Sequence, residues 1–247
     1  MTIDHDPYFD VDRRIFHPSH KVPMLTWWAG IYDHVFVAPH PFYQIAGYAG
    51  VGSAAFPDGD QIKREGEAFP WAEVHQAVAP EVPRDDFYRA TWLLGCVGYQ
   101  ERADIALQQR IEAYCVQEKL YLPDDGGLPP ILEVNVGAFL CRLGVDRVTA
   151  YDEFRHNSLD ADISAFNRDL PHFTLSASTT SSRAWGLHLP DLGALMTWDF
   201  DGTEAIIAMT SEALQRAQPE HFFEGWYADG QTYSDVFNPR DFFPRQL

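Results

Sequence analysis

GALMTWDFDGTEAIIAMTSEALQRAQPEHFFEGWYA, residues 193–228, is the stretch whose reading decides the fold. Residues 194–200 and 203–209 are two runs rich in aromatic and branched side chains, joined by Asp201-Gly202. That dipeptide tolerates the positive φ angles of a tight type I′ turn, so the stretch predicts a β-hairpin. A two-residue turn sets the register: Phe200 opposite Thr203, Asp199 opposite Glu204, Trp198 opposite Ala205 and Met196 opposite Ile207. One face then carries Met196, Trp198, Phe200, Ala205 and Ile207, and the other Leu195, Thr197, Ile206 and Ala208. Both faces are apolar away from the turn, which places the hairpin inside a larger sheet with cover on each side. Trp198 is expected to be buried, because the small Ala205 opposite leaves room for its indole. Thr210 and Ser211 are N-caps for a short helix over 212–217, which Pro219 stops, and 221–228 reads as a further strand.

Working outward, residues 1–24 mix charge, Pro and His without periodicity and predict an arm docked by Tyr8, Phe9 and Phe16. The remainder, 25–247, reads as a single domain. Trp27 and Trp28 lead into a strand over 31–37, ended by Pro39 and Pro41. Residues 42–69 carry five Gly and read as a compact loop region. Pro70 opens a short helix, and a longer helical region over 84–120 is loosened by Gly95 and Gly98. These helices are expected to cover one face of the sheet. PDDGGLPP, residues 123–130, is the strongest break and a candidate boundary between helical layer and sheet. A helix over 131–143 stops at Gly144, 145–151 reads as a strand, 159–167 as a short helix and 173–178 as a strand. Helices gather in the first 145 residues and antiparallel strands in the last hundred, so the class is α+β, mainly antiparallel sheet with a helical layer.

Composition narrows the function classes. Acidic residues number 36 against 18 basic ones, a formal charge of −18, which disfavours nucleic acid and an anionic membrane surface as partners. Between Asp169 and Pro239 ten acidic residues stand against Arg183 and Arg216, so a basic protein or a cationic ligand would be steered there. Cys96, Cys115 and Cys141 have no CxxC spacing and read as reduced, buried thiols of a cytoplasmic protein. No run approaches the roughly 18 to 20 apolar residues of a membrane span.

The usual catalytic signatures, GxSxG, GxGxxG, the P-loop and HExxH, are absent. Candidate chemistry is therefore built from loose clusters, and the sequence names no cofactor. Glu153 and His156, spaced Glu-x-x-His, would share a helical face as acid and base or as metal ligands. His17, His20, His34 and His40 are further imidazoles from which a zinc site could draw. Asp199 and Glu204, opposed beside the turn, form a like-charge pair that splays into water, pairs with an Arg, shares a proton or holds a cation. Exposure to water is the cheapest of these answers. Glu224, next to His221, completes the candidate site set of Glu153, His156, Asp199 and Glu224.

The order of short features also resembles a bacterial family catalogued as domain of unknown function 2711. The features are His40-Pro41-Phe42, Pro70-Trp71 with Glu73-Val74, Glu112 to Cys115 followed by Leu122-Pro123, Asp152-Glu153-Phe154, Thr197-Trp198-Asp199 and Phe223-Glu224-Gly225. The resemblance implies a single domain and a bacterial cytoplasmic origin, and it brings no catalytic residues with it. Two functions follow from the residues. One is a non-catalytic acidic binding protein, of the antagonist or immunity type, for a basic protein. The other is an enzyme or small-molecule binder, metal-dependent or not, with an aromatic pocket and the Glu/His/Asp set.

Overall fold

The structure is a computed structural model and describes residues 11–53, 55–95, 100–177 and 180–239. Tyr8, Phe9, Cys96 and Gly98 lie outside the described residues. The hairpin is its centre: β9 (Ala194–Trp198) pairs with β10 (Glu204–Met209), with Trp198 opposite Ala205 and Met196 opposite Ile207, as the sequence predicts. Its turn differs. Asp201 alone has a positive φ, of 56°, and the strand already ends at Trp198, so residues 199–203 form a wider tip than a type I′ turn. Phe200 therefore leaves the pleat and is 65% exposed.

Seven antiparallel strands form the main sheet among the described residues. Besides the hairpin they are β1 (His34–Pro39), β4 (Arg147–Tyr151), β5 (Ser158–Asp162), β8 (Gly186–Leu189) and β11 (Trp226–Tyr227), in the order β11-β1-β10-β9-β8-β4-β5. Two small hairpins stand apart, β2 (Phe42–Gln44) with β3 (Glu67–Phe69) and β6 (Leu175–Ala177) with β7 (Thr180–Ser182). The helices are α1 (Met24–Trp27), α2 (Gly59–Glu65), α3 (Trp71–Val78), α4 (Arg84–Gly95), α5 (Ile105–Glu118), α6 (Glu133–Leu143) and α7 (Ser211–Arg216).

Three sequence expectations change. Residues 159–167 are not a helix: 158–162 pair with β4 as an edge strand, and only a short 3-10 turn follows. The region 42–69 is not merely loop, since it holds β2, α2 and β3, and α2 opens on a capping box between Asp58 and Gln61. The expected strand over 221–228 shrinks to Trp226 and Tyr227, because Pro219 starts a 3-10 turn. Gly225 then passes so close to β1 that a Cβ there would lie 2.0 Å from the Val37 carbonyl oxygen.

Both faces of the hairpin are covered. Met196, Trp198, Ala205 and Ile207 pack with Val136, Phe139 and Leu140 of α6, whereas Leu195, Ile206 and Ala208 pack with Met24 and Trp27 of α1, with Trp28 and Tyr32 just after it, and with Val11 and Val22 of the arm. The cover is not the one expected. Helices α3, α4 and α5 build a separate cluster around Trp71, Phe87 and Ile111, beside the sheet rather than over it. Of the cysteines, Cys115 is buried there and Cys141 is exposed.

A buried ion pair ties α2 to α6. The Lys63 ammonium donates to Glu133 Oε2 at 2.8 Å and to the carbonyls of Ala165 and Pro171, while the Glu133 carboxylate also accepts from Phe173 N and the His172 ring. Every donor of the ammonium is used, the condition under which a buried charge is tolerable.

Trp198 is 2% exposed and donates its indole N–H to His40 Nε2 at 3.0 Å. Replacing it with Ala removes the packing and strands the imidazole, so Trp198→Ala should cost on the order of 3 to 5 kcal/mol. A thermal melt of parent and variant checks this, and a shift of only a degree or two would contradict the burial.

Candidate functional site

A concavity lined by polar and aromatic side chains lies where the arm crosses the hairpin tip. Two adjoining clefts meet there, about 390 Å³ between the arm and residues 153–155, and about 400 Å³ between the 125–127 loop and the tip. Glu153, Trp185 and Phe200 line both, so they form one trough with the Trp185 and Phe200 rings as its partition, centroids 6.4 Å apart and 12° from parallel.

The walls are held by one side chain. Arg155 sits in the β4–β5 connection with a left-handed φ of 60°. Its Nε donates to Ile15 O, Nη1 to Asp152 O and Glu153 O, and Nη2 to Trp185 O and the Thr197 hydroxyl, at 2.8 to 3.0 Å. A guanidinium has five N–H donors, so Arg155 is saturated and fastens arm, loop and sheet together. Burial draws its pKa down to about 10, which leaves it charged near neutral pH. The arm is further fixed by Trp28 Nε1 donating to Arg13 O and the Tyr32 hydroxyl to Arg14 O.

Against this frame the sequence candidates separate. Glu153 and Asp199 line the same cleft, together with His17 and His20. The Glu153 carboxylate makes no hydrogen bond among the described residues. Residues 153–156 form a turn rather than a helix, so the Glu-x-x-His spacing does not put two ligands on one face. His156 instead lies exposed beside Phe154, its ring centroid 6.0 Å away, with its backbone N–H given to Asp152. Glu224 is elsewhere: its carboxylate accepts from Trp71 N at 2.7 Å and Ala72 N at 2.9 Å, capping the start of α3 from across the chain. His34 meets Ser211, and His40 is buried in the core. Among the described residues no group of three or more His, Cys, Asp or Glu is placed to hold a metal.

His17 is the most unusual of the lining groups. Both ring nitrogens are buried and have no hydrogen-bond partner, and Nε2 lies 3.7 Å from Asp199 Oδ2, too far for a hydrogen bond. Burial lowers its pKa, with Arg155 adding to the effect against the pull of Asp199, so the imidazole is neutral. The expected Asp199–Glu204 pair also resolves differently. Glu204 is 4% exposed, Oε2 has no partner, and burial, reinforced by Asp199, pushes its pKa up to about 8. Water is not its answer; neutralisation is. The wider tip causes this by turning Asp199 outward while Glu204 stays in β10, opposite Pro39.

The model of the family described as Protein of unknown function (DUF2711) matches residues 20–237. The chain belongs to that family. No curated protein and no solved structure matches it. The matched range takes in Glu153, Arg155, Trp185, Asp199 and Phe200 of the DUF2711 chain's trough, and it begins three residues after His17. Among the described residues no helix is long and apolar enough to cross a membrane.

Sequence reasoning missed Arg155 and placed Phe200 in the core, since neither a saturated guanidinium nor a bulging tip leaves a periodic signal. Two outcomes follow from the geometry. Glu224→Ala frees two helix-start N–H groups and should destabilise by on the order of 1 to 3 kcal/mol in a urea melt. For Glu204 the folded pKa is raised, so the folded state holds a proton that the unfolded chain releases above pH 4.5, and stability is lost as pH rises toward about 8. His40, whose pKa burial lowers to about 3, acts oppositely but only below the ordinary imidazole value of 6.5. Between about pH 6.5 and 8 the parent should therefore lose on the order of 1 kcal/mol per pH unit. Glu204→Gln should flatten that slope, which paired urea melts at the two pH values measure.

Proposed function

We propose that the chain is a non-catalytic, acidic binding protein that captures a basic protein on the trough at the hairpin tip, in the manner of an antagonist or immunity-type partner. The observation that carries this reading is the rim: Phe154 and Phe200 are 64% and 65% exposed, and they stand beside Glu153, Asp199 and Asp201, with Asp125 on the adjoining wall. Large aromatic side chains cost free energy in water, and as central anchors they dominate interface energetics. Carboxylates around them steer a basic partner and reject acidic ones. The overall charge of −18 acts in the same direction at longer range.

The enzyme reading draws support from the same cleft, whose volume suits a small molecule and whose wall carries His17, Glu153 and Asp199. It is the weaker one, because Glu224 is committed to a helix start and His156 is absent from the cleft lining.

The test is retention of a basic protein from source-cell extract on the immobilised full chain at about 50 mM and about 500 mM salt, the higher value shortening the Debye length to a few ångströms. Salt-sensitive retention should fall at least tenfold for the Phe154→Ala, Phe200→Ala double variant, whose exposed sites leave folding intact. Retention that is equal at both salts, or equal for parent and variant, would overturn the proposal.

A further inference from the structure

We propose that the arm is an acid-released latch: His17 on the arm and His188 on β8 beneath it are enclosed as neutral imidazoles, and their protonation lifts residues 11–17 off the sheet. The device governs how the arm is held, whatever the trough binds.

Two imidazoles lie at the contact of arm and sheet. Both ring nitrogens of His17 are buried without a hydrogen-bond partner. His188 is 9% exposed and pairs with Leu195 of β9, so it shares the face that packs against the arm and α1. Its ring makes no hydrogen bond among the described residues. Burial lowers the pKa of each, because a charged ring there would lose its hydration with no acceptor in hydrogen-bonding reach. Neighbouring charges do not reverse this, since they come in opposite pairs. Asp199 and Arg155 flank His17, and Asp12 and Arg14 of the arm flank His188.

The bonds that fasten the arm are indifferent to pH in the same range. Ile15 O accepts from Arg155 Nε, Arg13 O from Trp28 Nε1 and Arg14 O from the Tyr32 hydroxyl, while Arg13 Nη1 donates to Trp27 O. Burial pushes the pKa of the Tyr32 hydroxyl up, and Arg155 keeps its proton to about pH 10. Around the two rings, the β4–β5 connection brings Asp152 and Glu153, and the hairpin brings Asp199 and Glu204. Strand β4 adds Arg147 and Tyr151 with Asp160 of β5 beside them, the arm adds its own His20 and Lys21, and α1 adds none. Glu204 acts in the opposite sense, since acid keeps it in the neutral form that its burial favours.

A folded pKa below the ordinary 6.5 means that the docked arm binds fewer protons than the released one. Docking is therefore at full strength above pH 6.5 and weakens as pH falls below it. Each enclosed ring moves the docking equilibrium by up to about tenfold per pH unit, and two rings by up to about a hundredfold. Histidine pairs released in this way are a general basis of acid-sensitive contacts. Release uncovers part of the apolar face formed by Leu195, Ile206 and Ala208 with Trp27 and Trp28, and it takes Phe16 and His17 from the trough wall.

Hydrogen exchange of the full chain at about pH 7.5 and about pH 5.5, read by mass spectrometry and corrected for the intrinsic pH dependence of amide exchange, tests the latch. Residues 11–17 should lose protection by roughly fivefold or more at the lower pH, while the hairpin over 194–209 keeps its own. The His17→Gln, His188→Gln double variant should show no such pH dependence in the arm. An NMR titration of the histidine rings in the parent needs no variant: both imidazoles should titrate below 6.5, together with the loss of arm protection. Arm protection that is equal at the two pH values, or lost only along with that of the hairpin, would overturn the latch. Rings that titrate at the ordinary value under a protected arm, or a folded double variant that retains the pH dependence, would overturn it equally.

Discussion

The fold hangs on the four hydrogen bonds of His40. Its N–H donates to Thr203 O at 2.7 Å, its carbonyl accepts from Trp71 Nε1, its Nδ1 meets Asp124 O at 2.7 Å, and its Nε2 accepts from Trp198 Nε1. A carbonyl can only accept, so Nδ1 carries the proton and Nε2 the lone pair, the single tautomer that satisfies both neighbours. Protonation would set Nε2–H against the indole N–H, and burial accordingly holds the pKa at about 3. Through the backbone and neutral ring of this one residue the central hairpin, its tip, the α3–α5 cluster and the 123–130 strap are fixed relative to each other. The strap lies flat because glycine permits it: a Cβ on Gly127 would meet the Ala184 carbonyl oxygen at 2.6 Å.

The second constraint acts on the opposite face. A buried guanidinium is expensive unless its donors are met, and Arg155 meets them with backbone carbonyls of the arm, its own turn and the residue before β8, plus the Thr197 hydroxyl. Its left-handed backbone costs on the order of 1 kcal/mol, which the five bonds offset. The docking of an arm without periodicity follows from this and from Trp28 and Tyr32, whose polar atoms reach the arm's carbonyls. The cleft is the space left between these fixed walls, so its shape is preorganised rather than made by mobile loops.

How much of this the sequence reveals depends on the range of the cause. The hairpin register was legible because a period of two, read from Met196, Trp198, Ala205 and Ile207, is local, and so was the buried Trp198. Its cover by two different layers was legible only as a requirement. That α6 and the arm supply it, while α3 to α5 stand aside, depends on contacts such as Lys63 with Glu133, seventy residues apart in sequence. PDDGGLPP reads as a boundary from composition, yet its role is a packed strap, since Gly marks a close approach as readily as a break. Of the two candidates that line the cleft, Asp199 was reached from the register argument and Glu153 from the same helical spacing that drew in His156. His156 and Glu224 were drawn in by helical and sequence proximity that the turns at 153–156 and 219–221 remove.

The hairpin tip finally decides which carboxylate faces the cleft. A two-residue turn would have set Asp199 and Glu204 side by side in the ladder, where like charges repel. One residue with positive φ, Asp201, ends the pleat early instead. Glu204 stays under the arm face, where burial favours its neutral form, and Asp199 swings to the cleft wall beside His17. The same displacement carries Phe200 out of the core and onto Trp185. Carboxylate and aromatic ring thus reach the trough by one backbone event, at a tip that His40 holds through Thr203.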